Sequence, residues 1–221
     1  MSGTARACRM REPPLDFPDY KSTRLRHPKQ SLIRVGPERS GPALGHLRPG
    51  ELCHDLTRDG TIGERITVSG RLLDTDGRPI RNSLVEVWQA NAAGRYRHRW
   101  DRWPAPLDSH FDGGGRTVTD DDGRYEFLTI KPGPYPWGNH PNAWRPAHIH
   151  FSVMGTAFDQ RLVTQMYFPG DPLFPYDPIF NAVRDPKLRE LMIARFSMEH
   201  SQENWALAYE FDIVVDATPF E

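Results

Sequence analysis

Twenty-one prolines and eighteen glycines punctuate this chain of 221 residues. Proline removes a backbone donor and fixes φ, so long helices have little room to run. What survives between the breakers is short and alternating. Ile66, Val68 and Gly70 alternate with Thr67 and Ser69, and Leu72 and Leu73 lead into the turn signal Asp74-Thr75-Asp76-Gly77. Leu84–Gln89 reads as a second strand that carries Trp88. Asp121-Asp122-Gly123 marks another turn, and Arg124–Ile130 follows with Tyr125 and Phe127 on one face. Ala147–Val153, Arg161–Tyr167 and Ala206–Val215 bring the expected strands to at least six. In the last, Leu207, Tyr209, Phe211, Ile213 and Val215 share a face. Short strands divided by turns predict an all-β fold, a β-sandwich of mainly antiparallel strands with long loops. One short helix is expected in the C-terminal half. Asp185 suits its cap, Pro186 its first position, and Leu188, Leu191 and Met192 fall on one stripe.

Residues 1–60 read differently. Pro13, Pro14, Pro18, Pro28, Pro37, Pro42 and Pro49 interrupt every candidate element. The aromatic cluster Phe17-Pro18-Asp19-Tyr20 favours an irregular arm, wrapped on its own domain or a partner, over a solvated linker. The division expected is an arm over 1–60 and one sandwich domain over 61–221. A formal charge of −1 gives no global pull toward nucleic acid or an anionic membrane. No apolar run is long enough to span a bilayer, and Met1–Arg11 lacks the apolar stretch of a secretory signal. Cys8 and Cys53 make neither a disulfide framework nor a thiolate metal site, which fits a reducing cytoplasm.

The chemistry concentrates in Arg145-Pro146-Ala147-His148-Ile149-His150-Phe151. On a strand, His148 and His150 share one face and Ile149 and Phe151 take the other. Two imidazoles on one face can grip one metal ion. The competing reading is two histidines satisfied by hydrogen bonds in a polar sheet face. Further ligands must come from elsewhere. No Asp or Glu lies between Glu126 and Asp159, which argues against two histidines with a carboxylate, and cysteine is absent from the region. Tyrosine remains: Tyr135 sits among three prolines in Lys131-Pro132-Gly133-Pro134-Tyr135-Pro136-Trp137, and Tyr96 follows the Trp88 strand. A phenol ionises only near pH ~10, so a phenolate ligand calls for a metal of high charge, a demand Fe(III) meets. The competing reading of each tyrosine is a packed aromatic with a bonded hydroxyl.

Four segments carry a resemblance. Trp88-Gln89-Ala90-Asn91, Gly94-Arg95-Tyr96-Arg97-His98, Lys131–Trp137 and Trp144-Arg145-Pro146-Ala147-His148-Ile149-His150 closely resemble the intradiol ring-cleaving dioxygenases. The likeness runs from about Tyr20 to about Val215 and is strongest to the β subunits of the two-subunit members. It implies one non-haem Fe(III) per chain, held by Tyr96, Tyr135, His148 and His150 with a hydroxide in the fifth position. Tyr96 and His148 correspond to the family's equatorial pair, and Tyr135 and His150 to its axial pair. It also implies a homologous α subunit as partner, which lacks a full ligand set, and a higher αβ assembly. The expected reaction opens a catechol with O2, 3,4-dihydroxybenzoate giving 3-carboxy-cis,cis-muconate, within aromatic catabolism. Tyr135 and the hydroxide would take the substrate protons, and Arg145 would stabilise developing negative charge. For Arg145 the competing reading is a surface ion pair. Gln165 is expected to hydrogen-bond near metal and substrate, Trp88 and Trp137 to wall the pocket, and Tyr20 to reach the substrate carboxylate. The basic run Arg95, Arg97, His98, Arg99 and Arg102 reads as structural or interfacial. The rival functions are cleavage of another catechol, such as catechol or hydroxyquinol, a non-catalytic sandwich subunit, and a Zn(II) hydrolytic site, which the tyrosines disfavour.

Overall fold

A computed structural model describes residues 52–98, 101–138, 140–155 and 162–215. Its strands are β1 Arg65–Asp74, β2 Leu84–Gln89, β3 Gly114–Val118, β4 Arg124–Ile130, β5 Tyr135–Pro136, β6 Trp144–Arg145, β7 His148–Met154, β8 Leu162–Tyr167, β9 Arg195–Gln202, β10 Ala206–Glu210 and β11 Ile213–Val215. Two short helices, α1 Pro178–Ala182 and α2 Pro186–Glu190, lie between β8 and β9. Arg161, expected to open β8, lies outside the described residues, as do Tyr20, Cys8 and Arg99.

Two sheets face each other. In one, β1 pairs with β4 antiparallel and with β10 and β11 in parallel, and β9 forms the edge beyond β10. In the other, the order β3-β2-β7-β8 is antiparallel throughout. The fold is the expected sandwich, with a parallel seam at β1. Ile66, Val68, Phe127, Tyr209 and Phe211 meet Val85, Val87, Ile149, Phe151 and Met166 in one apolar core. Alternation then forces the partners of those core residues outward: Trp88, His148, His150, Gln165 and Tyr167 all sit on the far face of the second sheet.

Two elements differ from the sequence reading. The expected strand Ala206–Val215 breaks after Glu210. There Phe211 N–H donates to the Ser69 carbonyl and Arg71 N–H donates to the Asp212 carboxylate, so a side chain replaces a ladder acceptor. The expected helix is capped by Asp185, which accepts from Lys187 N–H at 2.9 Å, and ends at Glu190. Leu191 is therefore outside the helix and 61 % exposed, while Met192 is buried. A second helix, α1, begins with the same Asp-Pro signal at Asp177-Pro178. It packs Phe180 with Tyr167, Val183 and Met192 into a small cluster on the outer side of β8.

Candidate metal centre

Two loops bring the tyrosines together. The Asn91 side chain ties the first loop, accepting from Ala93 N–H at 3.0 Å and Arg95 N–H at 2.9 Å and donating to the Pro106 carbonyl at 2.9 Å. Gly133 N–H donates to the Asn91 carbonyl at 2.9 Å, joining the second loop to the first. The approach is close enough to require glycine. A Cβ at Gly94, whose φ is +76°, would run into the Pro134 carbonyl oxygen, and one at Gly133 into that of Ala92. Tyr96 and Tyr135 end up edge to face with ring centroids 5.6 Å apart. The Asp101 carboxylate accepts from Tyr96 N–H at 2.7 Å and pairs with Arg95, and Arg97 pairs with Asp112, which accounts for part of the basic run.

The histidines come from β7. His148 is 2 % exposed, and its Nδ1 donates to the Pro146 carbonyl at 2.7 Å. That contact fixes the tautomer and leaves the Nε2 lone pair on the site, 3.4 Å from the Tyr135 hydroxyl. The ring centroids of His148 and His150 lie 4.8 Å apart, and that of Tyr96 is 6.4 Å from His150. Trp88 stacks on His150 at 4.8 Å with the rings 1° from parallel. The register explains this: Trp88, His150 and Gln165 form one row across β2, β7 and β8.

Burial, then the Arg145 cation and the neighbouring His150, pushes His148 well below the usual histidine range. Burial, then Arg145, pushes His150 down to about 3. Both imidazoles are therefore neutral and carry free lone pairs at pH 7. Burial and the neighbouring Tyr135 phenol hold the Tyr96 proton on, well above the usual tyrosine range. The Tyr96 hydroxyl is buried without a well-formed hydrogen bond among the described residues. A buried phenol without a well-formed hydrogen bond, set beside a second phenol and near two neutral imidazoles, belongs to a donor set that fits a highly charged cation. Among the described residues no cluster of three or more His, Cys, Asp or Glu side chains could hold a metal, so a metal here would need the tyrosines.

Arg145 pairs with Tyr135 across β5 and β6 and is only 3 % exposed. It forms an ion pair, but inside the protein: Nε lies 3.2 Å from Asp177 Oδ2. Its Nη2 donates to Gln165 Oε1 and, at 3.3 Å, to the Tyr167 hydroxyl. Burial opposes the cation, but Tyr167, Tyr135 and Asp177 outweigh it and raise the guanidinium above its ordinary range. Trp137 covers the guanidinium, 5.3 Å from ring to carbon. Eight of the nine expected site residues thus gather on one face; the ninth, Tyr20, lies outside the described residues. Tyr167 and Asp177 belong to the same network and were not expected. Tyr167 stands two residues after Gln165, on the same face of β8, and Asp177 carries the Asp-Pro cap signal, so each had a local signal.

The comparisons with known proteins come down on one family. A model described as Dioxygenase matches residues 40–217, and one described as Protocatechuate 3,4-dioxygenase beta subunit N terminal matches residues 12–38. The chain is 55 % identical over 215 residues to a protocatechuate 3,4-dioxygenase β chain of Burkholderia cepacia, covering 92 % of this chain and 91 % of that one. It is 30 % identical to a protocatechuate 3,4-dioxygenase α chain of Pseudomonas putida, covering 75 % of this chain and 78 % of that one. A hydroxyquinol 1,2-dioxygenase of Rhizobium is 35 % identical over 66 % of this chain, which spans only 50 % of that protein. The solved 3-chlorocatechol 1,2-dioxygenase of Rhodococcus opacus shares the fold, with a TM-score of 0.59 at 24 % identity over 78 % of this chain and 70 % of that one. With its sandwich, its ordered motifs and a family model across most of its length, this chain belongs to the intradiol ring-cleavage dioxygenases.

Proposed function

We propose that this chain works as the iron-bearing β subunit of a protocatechuate 3,4-dioxygenase, opening 3,4-dihydroxybenzoate with O2 to 3-carboxy-cis,cis-muconate. The observation that carries the reading is the convergence of Tyr96, Tyr135, His148 and His150 on one face, with both imidazoles neutral. These four would hold one Fe(III) per chain. When bound, a ferric ion would supply a Lewis-acidic, electron-withdrawing centre for the two diol oxygens.

The remaining work falls to the chain's own groups. His148 is held in one tautomer by Pro146, so it presents a lone pair without rearrangement. To hold the cation Tyr96 and Tyr135 would give up their protons, so metal uptake should favour higher pH. Tyr135 then accepts a proton from the incoming diol. Arg145 is a permanent cation in a water-poor setting, placed to stabilise negative charge that develops on the substrate during ring opening. Gln165 accepts from Arg145 through Oε1, leaving its amide N–H2 outside that contact as a donor for the site. Trp88 and Trp137 pack on His150 and Arg145 and keep water away.

The division into an arm over 1–60 and a catalytic sandwich over 61–221 belongs to this reading, with Tyr20 reaching the substrate carboxylate. So does pairing with a homologous α subunit, for which the α-chain relative and the β-type N-terminal match are the support. A cytoplasmic setting suits the two-cysteine composition, and among the described residues no helix is long and apolar enough to cross a membrane. The test is a rate panel. The iron-loaded complex of this chain with an α subunit should prefer 3,4-dihydroxybenzoate over catechol and hydroxyquinol, and a clear preference for either rival would contradict the assignment.

A further inference from the structure

Arg145 is sunk beside the four proposed donors, and among the described residues a single carboxylate meets it there. Asp177 is fully buried, at 0 % exposure. Its Oδ2 accepts from Arg145 Nε at 3.2 Å and from the Tyr167 hydroxyl at 3.1 Å. Its Oδ1 accepts from Ile179 N–H at 2.8 Å and caps α1. With its one proton on that carboxylate, the Tyr167 hydroxyl accepts from Arg145 Nη2 at 3.3 Å, so it bridges carboxylate and guanidinium. Arg145 therefore commits Nε and Nη2 to the protein, and among the described residues nothing accepts a hydrogen bond from Nη1. A guanidinium is planar and rigid, so fixing Nε and Nη2 fixes the direction of Nη1 as well.

We propose that Asp177 is the positioning residue for Arg145: its buried carboxylate, bridged by Tyr167, aims the free Nη1 of the guanidinium at the reacting substrate. The proposal rests on the reading of Arg145 as the cation that serves ring cleavage. Asp177 reaches the chemistry only through Arg145. Because the same carboxylate caps α1, the segment that follows β8 sets the orientation of the cation. Without its counter-ion the guanidinium stays buried and unpaired, free to turn toward other acceptors.

The test is a double-mutant cycle in the iron-loaded complex with an α subunit. Asp177→Asn keeps the shape and the cap acceptor but removes the charge. It should lower kcat about 10- to 100-fold while KM moves less than about threefold, with iron content and the visible spectrum before substrate unchanged. Arg145→Met should lower kcat at least as much. Adding Asp177→Asn to Arg145→Met should cost nothing more in kcat. A second reading needs no activity: in the iron-free full chain, Asp177→Asn should lower Tm, and adding Arg145→Met should recover most of that loss. If Asp177→Asn does not accumulate, Tyr167→Phe carries the same cycle, with a kcat loss that vanishes in the Arg145→Met background. Equal kcat losses in both backgrounds, additive Tm losses, or a wild-type rate for Arg145→Met would each overturn the proposal. A wild-type complex that opens no catechol overturns the functional reading too, and the wild-type control alone reveals it. A failed cycle on an active wild type overturns only the role of Asp177.

Discussion

At the scale of the residue, the site is a set of groups made neutral or charged by their surroundings. Burial, aided by the Arg145 cation, pushes His150 from 6.5 down to about 3, and His148 moves the same way. Both bind protons more readily in the unfolded chain, so stability of the iron-free protein is full above pH 6.5 and falls as pH drops toward 3. From pH 6.5 to pH 5 His150 alone should cost about 2 kcal/mol. Urea unfolding of the iron-free chain at the two pH values measures this, and His150→Gln should flatten the dependence. The histidines were legible because strand alternation puts two residues apart on one face. The partners of Arg145 were harder to read. Asp177 lies 32 residues from Arg145, and only the turn after β8 brings it back. The carboxylate-poor stretch around the histidines describes the sequence correctly, yet Asp177 and Asp171 return to it through space, Asp171 accepting from Ala147 N–H at 3.1 Å.

At the scale of the element, legibility followed burial. Strands β1, β2, β4, β7 and β8 bury one face in the core, and their alternation announced them. β3 contains two glycines and no apolar pattern, and β9 lies at a sheet edge with most side chains exposed, so neither leaves a periodic signal. The loops that join Tyr96 to Tyr135 were visible as motifs, but their close approach was not, because it depends on missing Cβ atoms. Gly94→Ala meets both a φ of +76° and the Pro134 carbonyl. It should destabilise the chain by about 1–3 kcal/mol and weaken metal uptake, because it pushes the two tyrosine loops apart. Thermal unfolding and iron stoichiometry of that variant check the two effects, and normal values for both would contradict the account of the loops.

At the scale of the whole molecule, the sandwich is held at one side by residues 52–56. Cys53 bridges to Arg116 in β3 of one sheet, Asp55 bridges to Leu128 in β4 of the other, and Leu56 fills the core between them. Gly115 leaves room for this crossing, since a Cβ there would meet Leu56. Leu56→Ala should therefore cost about 2–5 kcal/mol, read as a shift in the denaturant midpoint. The sandwich supplies a rigid floor, and one outer face of it carries the proposed donors, cation and aromatic walls. On the proposed function, Tyr96, Tyr135, His148 and His150 hold one ferric ion. The visible absorption spectrum during titration with Fe(III) tests it most directly. The account predicts saturation at one iron per chain with a red-brown tyrosinate-to-iron band, bleached or shifted in Tyr135→Phe. An iron-loaded chain without that band, or a band unaltered in both Tyr96→Phe and Tyr135→Phe, would contradict it.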